Sequence, residues 1–573
     1  MTSGRTGCAG DRCTRRRESR VRARLGVLNL LLLAGPVLAA ELPDPLAAGW
    51  QGESVCEELV SGELQRVLRC TFPPGVGHEK HYHRPHTGYV LAGGRMRITD
   101  AGGTREVDVP AGYAWQSAGI DWHVAVNVGE TTAAYLIVEP RATQATLTAE
   151  EDHARMLGLL GIERLRRGAD GDPASAFAAN YDEALANGKL DTLPPLLVTD
   201  AGAEITSAAG WWEQRRPELL EHFEREVYGR LPASLPPVAW QVRESRREEL
   251  GGVAVEVIQL LGTVDNARHR ALDVHIPVTL TRPADASGEL PVVIELGFGP
   301  EFMARLRERF SPAELAAFSG GGPPGRQQVI ERGWAYASID AMRVQADDGA
   351  GLTRGIIGLT NFGRPRQPED WGALRAWAWA AGALLSWFEA APDYDAARVA
   401  IYGHSRMGKA ALVAMATDRR FGAAFVSSSG EGGAKLWRRN FGEQVGNIAG
   451  AGEYHWVAGN FLKYAGPLDV EDLPVDAHAL IALCAPRAVF ISSGEDGDQW
   501  VDPKGMFLAA REAGVVYELL GGQGLGSAAF PGVGTLAGDG ALAYRQHALG
   551  HTPGPNWALF LDFAERQFSG GGD

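Results

Sequence analysis

The stretch that decides the reading is RVAIYGHSRMGKAALVAMATD, residues 398–418. Its first part, VAIYG, is a short apolar run of the kind that forms a strand buried on both faces. Its last part, KAALVAMA, is dominated by good helix formers. Between them stand Gly403, His404, Ser405, Arg406, Met407 and Gly408. A strand that turns straight into a helix through a glycine-flanked serine holds the hydroxyl out at the carboxyl end of the strand. The backbone N–H after that serine can then donate to an oxyanion. The familiar spacing is G-x-S-x-G; here one more residue separates the serine from the second glycine. A glycine-rich turn with a surface serine could carry similar letters, but the strand before it and the helix after it argue for a nucleophile.

Outward from this turn, PVVIELGF (291–298), WAYASID (334–340), GAAFVSSSG (422–430) and RAVFISSGE (487–495) read as further buried strands. QQVIERG and a long helix from about Glu369 to Glu389 fall between them. Strands alternating with helices predict a doubly wound, mostly parallel sheet in three layers. The serine turn resembles the nucleophile elbow of the α/β-hydrolases, whose triads run serine, acid, histidine in chain order. Downstream lie His455, His478, His547 and His551. His551, in a Gly/Pro loop before a C-terminal helix, is the preferred base and His547 the second choice. His478 opens a strand and reads as structural. The loop EDGDQWVDP after RAVFISSG offers Glu495, Asp496, Asp498 and Asp502 as acids, and the residues alone do not choose.

Residues 50–140 have a different texture. RVLRCTF, GYVLAG, RMRITDA, REVDVPAG, HVAVNVG and AAYLIVEP alternate and are separated by turn residues, which predicts an antiparallel barrel or sandwich. His81 and His83 project to one face of a strand. With Pro110, Gly112, His123 and Asn127 downstream, the segment resembles the two cupin motifs, which implies a small all-β cupin barrel. The usual Glu ligand is missing, with Thr87 at the corresponding position of the resemblance. His81, His83 and His123 are the candidate ligands for a divalent metal such as zinc, manganese, iron or nickel. The alternative is a metal-free module used for packing or for sugar or partner binding. His78 and His86 read as loop residues. The expected domains are 1–40 signal, 41–145 cupin, 146–175 linker with one amphipathic helix, and 176–573 hydrolase.

The 573 residues carry a formal charge of −15, with 45% hydrophobic and 22% charged residues. That composition excludes disordered and coiled-coil classes, and the acidic balance argues against a nucleic-acid partner. Residues 1–40 depart from it, with eight Arg against Asp11 and Glu18, followed by the apolar run Leu25 to Ala40. This pattern predicts a secretory signal rather than a membrane span. Without its net +6 the mature chain would carry −21. The expectation is a secreted or periplasmic protein, free of the membrane after cleavage. An uncleaved anchor is the alternative. Cys56 and Cys70 sit on neighbouring strand-like segments and form either a disulfide or two buried thiols. Cys484 reads as a core residue.

GHSRMGK, PEDWGALRAWAWAAG (368–382), SSSGEGGAKLWRR (427–439), ALCAPRAVFISSGEDGDQWVDPKG (482–505) and HALGHTPGPNWALFLDF (547–563) together resemble bacterial members of carbohydrate esterase family 15, the glucuronoyl esterases. EREVYGRLP (224–232) resembles the segment that opens their catalytic domain. The resemblance spans about 176–570. It implies serine hydrolysis of esters between (4-O-methyl-)glucuronic acid on xylan and lignin alcohols, with no cofactor for the esterase. It assigns Ser405 as nucleophile, His551 as base and Arg406 to the oxyanion. Lys409 and Trp500 then line the sugar site, with Gln444 and Glu453 in the segment supplying other sugar contacts. Where some members carry a Glu acid, this chain has Ser428. The acid is therefore expected after RAVFISSG, with Asp498 favoured over Asp496 and Glu431 third. Arg406 and Lys409 are expected to form a local positive patch.

Two other functions are weighed against this one: a general acyl esterase or peptidase on the same fold, and a metal-dependent cupin enzyme or sensor with a secondary hydrolase domain. The sequence sets neither the natural alcohol nor the oligomeric state.

Overall fold

The alternating segments upstream form strands β1 (Cys56–Ser61), β2 (Gln65–Phe72), β3 (Gly77–His83), β4 (His86–Ala92), β5 (Gly94–Asp100), β6 (Gly103–Val109), β7 (Ala114–Ser117), β8 (Ile120–Asn127) and β9 (Ala133–Pro140). The computed structural model describes residues 42–61, 65–117, 119–140, 146–309, 311, 320, 322–526 and 529–569. The expected signal segment, 1–40, lies outside the described residues.

Two antiparallel sheets result, in the orders β3-β8-β5-β6 and β1-β2-β9-β4-β7. They share one core, which includes Leu68, Val90, Met96 and Ile137. The strands do not close into a single barrel, because the outer strands of one sheet do not pair with those of the other. Period-two burial is plain in β2, where Arg66, Leu68, Cys70 and Phe72 point inward. Arg66 tolerates burial because Glu139 and Asp44 pair with it at 2.6 and 2.9 Å. Cys56 and Cys70 face each other in register and are joined as a disulfide. His78 and His86, expected in loops, lie in β3 and β4 and are buried.

The expected linker is only partly free. Thr148 and Glu151 form a capping box that starts helix α1 (Ala149–Leu160). Asp152 and Met156, four residues apart on one face, are its buried residues. Met156 is fully buried against Gly459, where an added Cβ would meet its sulfur at 2.3 Å. Tyr454 donates to Asp152 at 3.0 Å, and the Arg166 guanidinium donates to the carbonyls of Tyr464 and Leu468. This part of 146–175 is thus a wall of the α/β core, fixed by these polar contacts and by Met156 and Ile162 within the core, with Leu157, Leu160 and Leu165 packed against it.

The rest of the chain builds a ten-stranded sheet. Its strands are β10 (Val238–Leu250), β11 (Val253–Val264), β12 (His275–Pro283), β13 (Leu290–Gly297), β14 (Ala335–Asp340), β15 (Tyr394–His404), β16 (Ala423–Ser427), β17 (Ala488–Gly494), β18 (Leu536–Ala537) and β19 (Leu542–His547). The order is β10-β11-β12-β14-β13-β15-β16-β17-β19-β18. The strands from β14 to β19 in that order run parallel, and the antiparallel pairings are at the two edges. Helices α2 (Ala373–Ala390), α3 (Arg406–Thr417) and α4 (Pro503–Leu519) cover one face, and α5 (Trp557–Ser569) covers the other. Val293, Phe425 and Phe490 meet Trp557 and Phe560 of α5, while Ile294, Ile401 and Val426 belong to the opposite core. Small residues Ala410, Ala411 and Ala414 let α3 fit beneath α2 with its side chains buried. Each fully buried Leu, Val or Met there contributes about 1.5–3 kcal/mol. Among the described residues no helix is long and apolar enough to cross a membrane.

Candidate active site

β15 ends at His404 and α3 begins at Arg406, so Ser405 makes the turn alone, at φ 58° and ψ −130°. A non-glycine residue at positive φ costs about 1–3 kcal/mol and persists only where its surroundings hold it. Here the Ser405 N–H donates to Ser427 O at 2.9 Å, and the N–H groups of Gly408 and Lys409 donate to Ser405 O at 2.8 and 3.2 Å. A Cβ on Gly403 would fall 2.0 Å from Met407 O, and one on Gly408 would fall 2.9 Å from Ser427 O. Both glycines are therefore required by the tightness of the turn. The Arg406 N–H is in the first turn of α3, where backbone donors lack intrahelical partners.

The loops after the neighbouring strands β17 and β19 meet at the same end of the sheet. His551 Nδ1 donates to Asp498 Oδ1 at 2.7 Å. Asp498 is 1% exposed, and its Oδ2 accepts from Ser428 Oγ at 2.8 Å and Gly494 N–H at 2.7 Å. With Nδ1 committed as donor to a carboxylate, the neutral ring keeps its lone pair on Nε2, ready to take a proton. The other acids are placed differently. Glu495 and Asp496 are exposed, Asp502 pairs with Arg439 at 2.8 Å, and Glu431 pairs with Lys435 in full burial. Burial pushes the Glu431 carboxyl up to about 8 against the pull of Lys435. Both ring nitrogens of His547 are used, by Thr552 O at 2.7 Å and Leu549 N–H at 3.1 Å. His478 lies in a short helix rather than opening a strand, and donates to Pro194 O at 2.9 Å. His404 packs its ring 4.4 Å from that of His551. Burial, then His551, hold the His404 imidazole well below its ordinary value.

Arg406 and Lys409 do not form a free positive patch. Arg406 pairs with Asp347 at 2.5 Å and lies 5.2 Å from the Trp456 ring centre. Asp347 also accepts from His455 Nε2 at 3.0 Å and Trp456 Nε1 at 2.6 Å. Burial opposes ionisation of Asp347, but the His455 hydrogen bond and the Arg406 charge outweigh it and hold the carboxyl well below the usual carboxylate range. Lys409 is 3% exposed and donates to Glu431 O and, at 2.9 Å, to Glu443. Burial, then the Glu443 carboxylate, push Glu453 up to about 7 against the attraction of Lys409 and Arg406. The expected cations are thus balanced by Asp347, Glu443 and Glu453, because charges taken out of water require partners. Trp500 is half-buried, and its carbonyl accepts from Glu443 N–H at 2.8 Å. Gln444 caps the short helix Val445–Ile448, with its amide 3.4 Å from Gly442 O. Asp347, Glu443, His455 and Trp456 were not singled out from sequence as functional residues. The aromatic run YHW beside Glu453 was the available signal for two of them.

In the β module, His81 Nε2 lies 3.0 Å from both His83 Nε2 and His123 Nε2. His81 Nδ1 is 2.6 Å from Glu79 O, which can only accept, so that nitrogen carries a proton. His83 Nδ1 faces Glu139 at 3.2 Å. In the neutral rings these contacts leave the lone pairs of His81 and His83 converging on one point. A cation there would relieve their repulsion, so the donor set fits a metal, with Glu79 and Glu139 orienting the rings as outer partners do.

The parallel sheet with a strained serine between β15 and α3 defines an α/β-hydrolase. A family model described as "Glucuronyl esterase, fungi" matches residues 362–521. A curated carbohydrate esterase from an unknown prokaryotic organism is 34% identical over 416 residues, covering 69% of this chain and 93% of that protein. Among solved structures, a CE15 glucuronoyl esterase from Teredinibacter turnerae T7901 aligns with a TM-score of 0.71 at 51% identity, covering 74% of this chain and all of that one. A glucuronoyl esterase from Solibacter usitatus aligns with a TM-score of 0.58 at 32% identity, covering 67% of this chain and all of that one. The chain is a carboxylic ester hydrolase belonging to carbohydrate esterase family 15, the glucuronoyl esterases.

Proposed function

We propose that this chain hydrolyses esters of (4-O-methyl-)glucuronic acid, the ester links between xylan and lignin alcohols among them, with Ser405, His551 and Asp498 as its triad. The observation that carries this reading is the buried Asp498 hydrogen-bonded to His551 at 2.7 Å beside the strained Ser405 turn. Ser405 Oγ attacks the uronate carbonyl carbon as His551 Nε2 takes its proton. The Arg406 backbone N–H and guanidinium face the oxygen that gains charge. The C–O bond to the alcohol breaks, and His551 returns the proton to the leaving oxygen. Water then attacks the acyl-enzyme, His551 taking its proton and passing it to Ser405. Lys409, Trp500, Gln444 and Glu453 hold the sugar. A charge-balanced site suits this substrate, since the ester is neutral, and Arg406 and Lys409, already paired with Asp347 and Glu443, hold the released uronate anion only weakly.

The proposed organisation is a cupin-like β module at 41–145, a connecting segment at 146–175 and the hydrolase at 176–573. His81, His83 and His123 hold a divalent metal that would supply a positive centre in the module, and the esterase itself needs none. Residues 1–40 act as a secretion signal, a reading supported by the Cys56–Cys70 disulfide, which persists in oxidising compartments. Ester hydrolysis should vanish in Ser405→Ala and survive chelation. Activity lost to a chelator but retained by Ser405→Ala would overturn the esterase assignment. Zinc binding by the full chain, followed calorimetrically, should disappear in His81→Ala. Equal binding without His81 would remove the metal from this site.

A further inference from the structure

The two sheets of the β module enclose a cavity of about 720 Å³ that the esterase reading does not use. Its walls come from both sheets and are largely apolar and aromatic, with Phe72, Met96, Ile98, Tyr113, Trp115 and Tyr135 prominent. This volume lies in the range of small-molecule sites, which are mostly apolar with a few placed polar groups. Tyr113 and Trp115 stack nearly parallel, with ring centres 6.1 Å apart, and Trp115 meets Tyr135 edge-on at the same separation. Tyr135 is 9% exposed, yet its hydroxyl has no hydrogen-bond partner among the described residues. A buried hydroxyl without a partner costs about 1–3 kcal/mol, and buried tyrosine hydroxyls ordinarily find one.

We infer that this cavity is a binding site for a neutral hydroxylated aromatic molecule, a phenol or benzylic alcohol of one or two rings, whose oxygen pairs with the Tyr135 hydroxyl. A free sugar matches less well, since most of the exposed wall is apolar and the polar groups of the lining, apart from its tyrosines and Trp115, are confined to the imidazoles of His78, His83, His86 and His123 and to Asp100, Arg105 and Asp108. Asp100 and Arg105 are paired with each other at 2.7 Å, and His83 and His123 of the candidate metal site also line this cavity. The inference rests on the β module alone and stands whether or not the esterase assignment does. The site would give the protein a second small-molecule specificity, directed at aromatic alcohols rather than at carbohydrate.

The test uses the full chain with 4-hydroxybenzyl alcohol as probe and methyl glucoside as control, followed by calorimetry and saturation-transfer NMR. Both metal-stripped and zinc-loaded protein are measured, so that a metal-held oxygen is separated from the cavity itself. The probe should bind with a Kd below about 1 mM, a reachable value for nine non-hydrogen atoms. Tyr135→Phe should weaken it about 5- to 10-fold. Val107→Trp, which fills the cavity, should abolish binding while esterase turnover stays within two-fold. Tyr135→Phe keeps the test decisive if the tryptophan variant fails to fold. Failure of the probe to bind the wild type, binding that survives both variants, or equal binding of methyl glucoside overturns the proposal.

Discussion

Asp498→Asn puts the candidate triad under its most specific strain. The side chain is 1% exposed and makes three hydrogen bonds, all as acceptor. In the amide, one oxygen becomes an NH2 donor. That group cannot face Gly494, whose N–H can only donate, so the remaining oxygen must keep the place of Oδ2. The NH2 is then forced toward His551 Nδ1, which must accept. The neutral imidazole responds by moving its proton to Nε2, the nitrogen that has to receive the proton of Ser405. The fold keeps its shape while the base is lost. The expected fall in kcat is about 10⁴-fold, or about 5.5 kcal/mol of barrier, with KM within a few-fold because no sugar contact changes. Initial-rate hydrolysis of benzyl glucuronate, alongside a melting curve to show an intact fold, measures it. A loss below about 10-fold in a folded variant, or a larger loss in Asp496→Asn, would refute the assignment of Asp498.

Three further outcomes follow from the geometry. Asp347→Asn, which loosens Arg406, should lower kcat about 10-fold with KM unchanged; a change in KM alone would place Arg406 in ground-state binding instead. Glu453, pushed up to about 7 against an ordinary 4.5, favours the folded state when protonated. That contribution is full below pH 4.5 and fades as pH rises through 7, a change of about 3 kcal/mol; denaturant titrations should show a shallower decline in Glu453→Gln, and an identical pH slope would contradict it. Replacing both Cys56 and Cys70 by Ser opens a loop of 14-residue separation and should cost the β module about 3 kcal/mol; an unchanged melting profile would show the bond to be idle.

The parts that sequence made legible are those ruled by short-range pattern. The runs at 291–298, 334–340, 398–404, 422–430 and 487–495 overlap β13 to β17, because central parallel strands are apolar on both faces and stand out against any background. The hairpin of β10 and β11 was not legible: β10 is almost wholly exposed, and its charged run VRESRREEL lacks an apolar face. Asp347, Ser428 and Glu443 escaped for a different reason. Each acts through a partner 59, 70 or 34 residues away, in Arg406, Asp498 and Lys409, and no local spacing encodes such a meeting. Ser428 is instructive, since it could be dismissed as the acid yet not recognised as the group that steadies the acid. The amphipathic helix of the connecting segment was legible, but its docking was not, because Asp152 of α1 meets Tyr454, 302 residues away in the chain.

Substrate preference tests the central claim most directly. The account predicts that kcat/KM for benzyl glucuronate exceeds that for simple acetyl esters by at least about 100-fold, a difference of about 2.7 kcal/mol in transition-state binding, and that both activities disappear in Ser405→Ala. Equal rates on the two ester classes would contradict it.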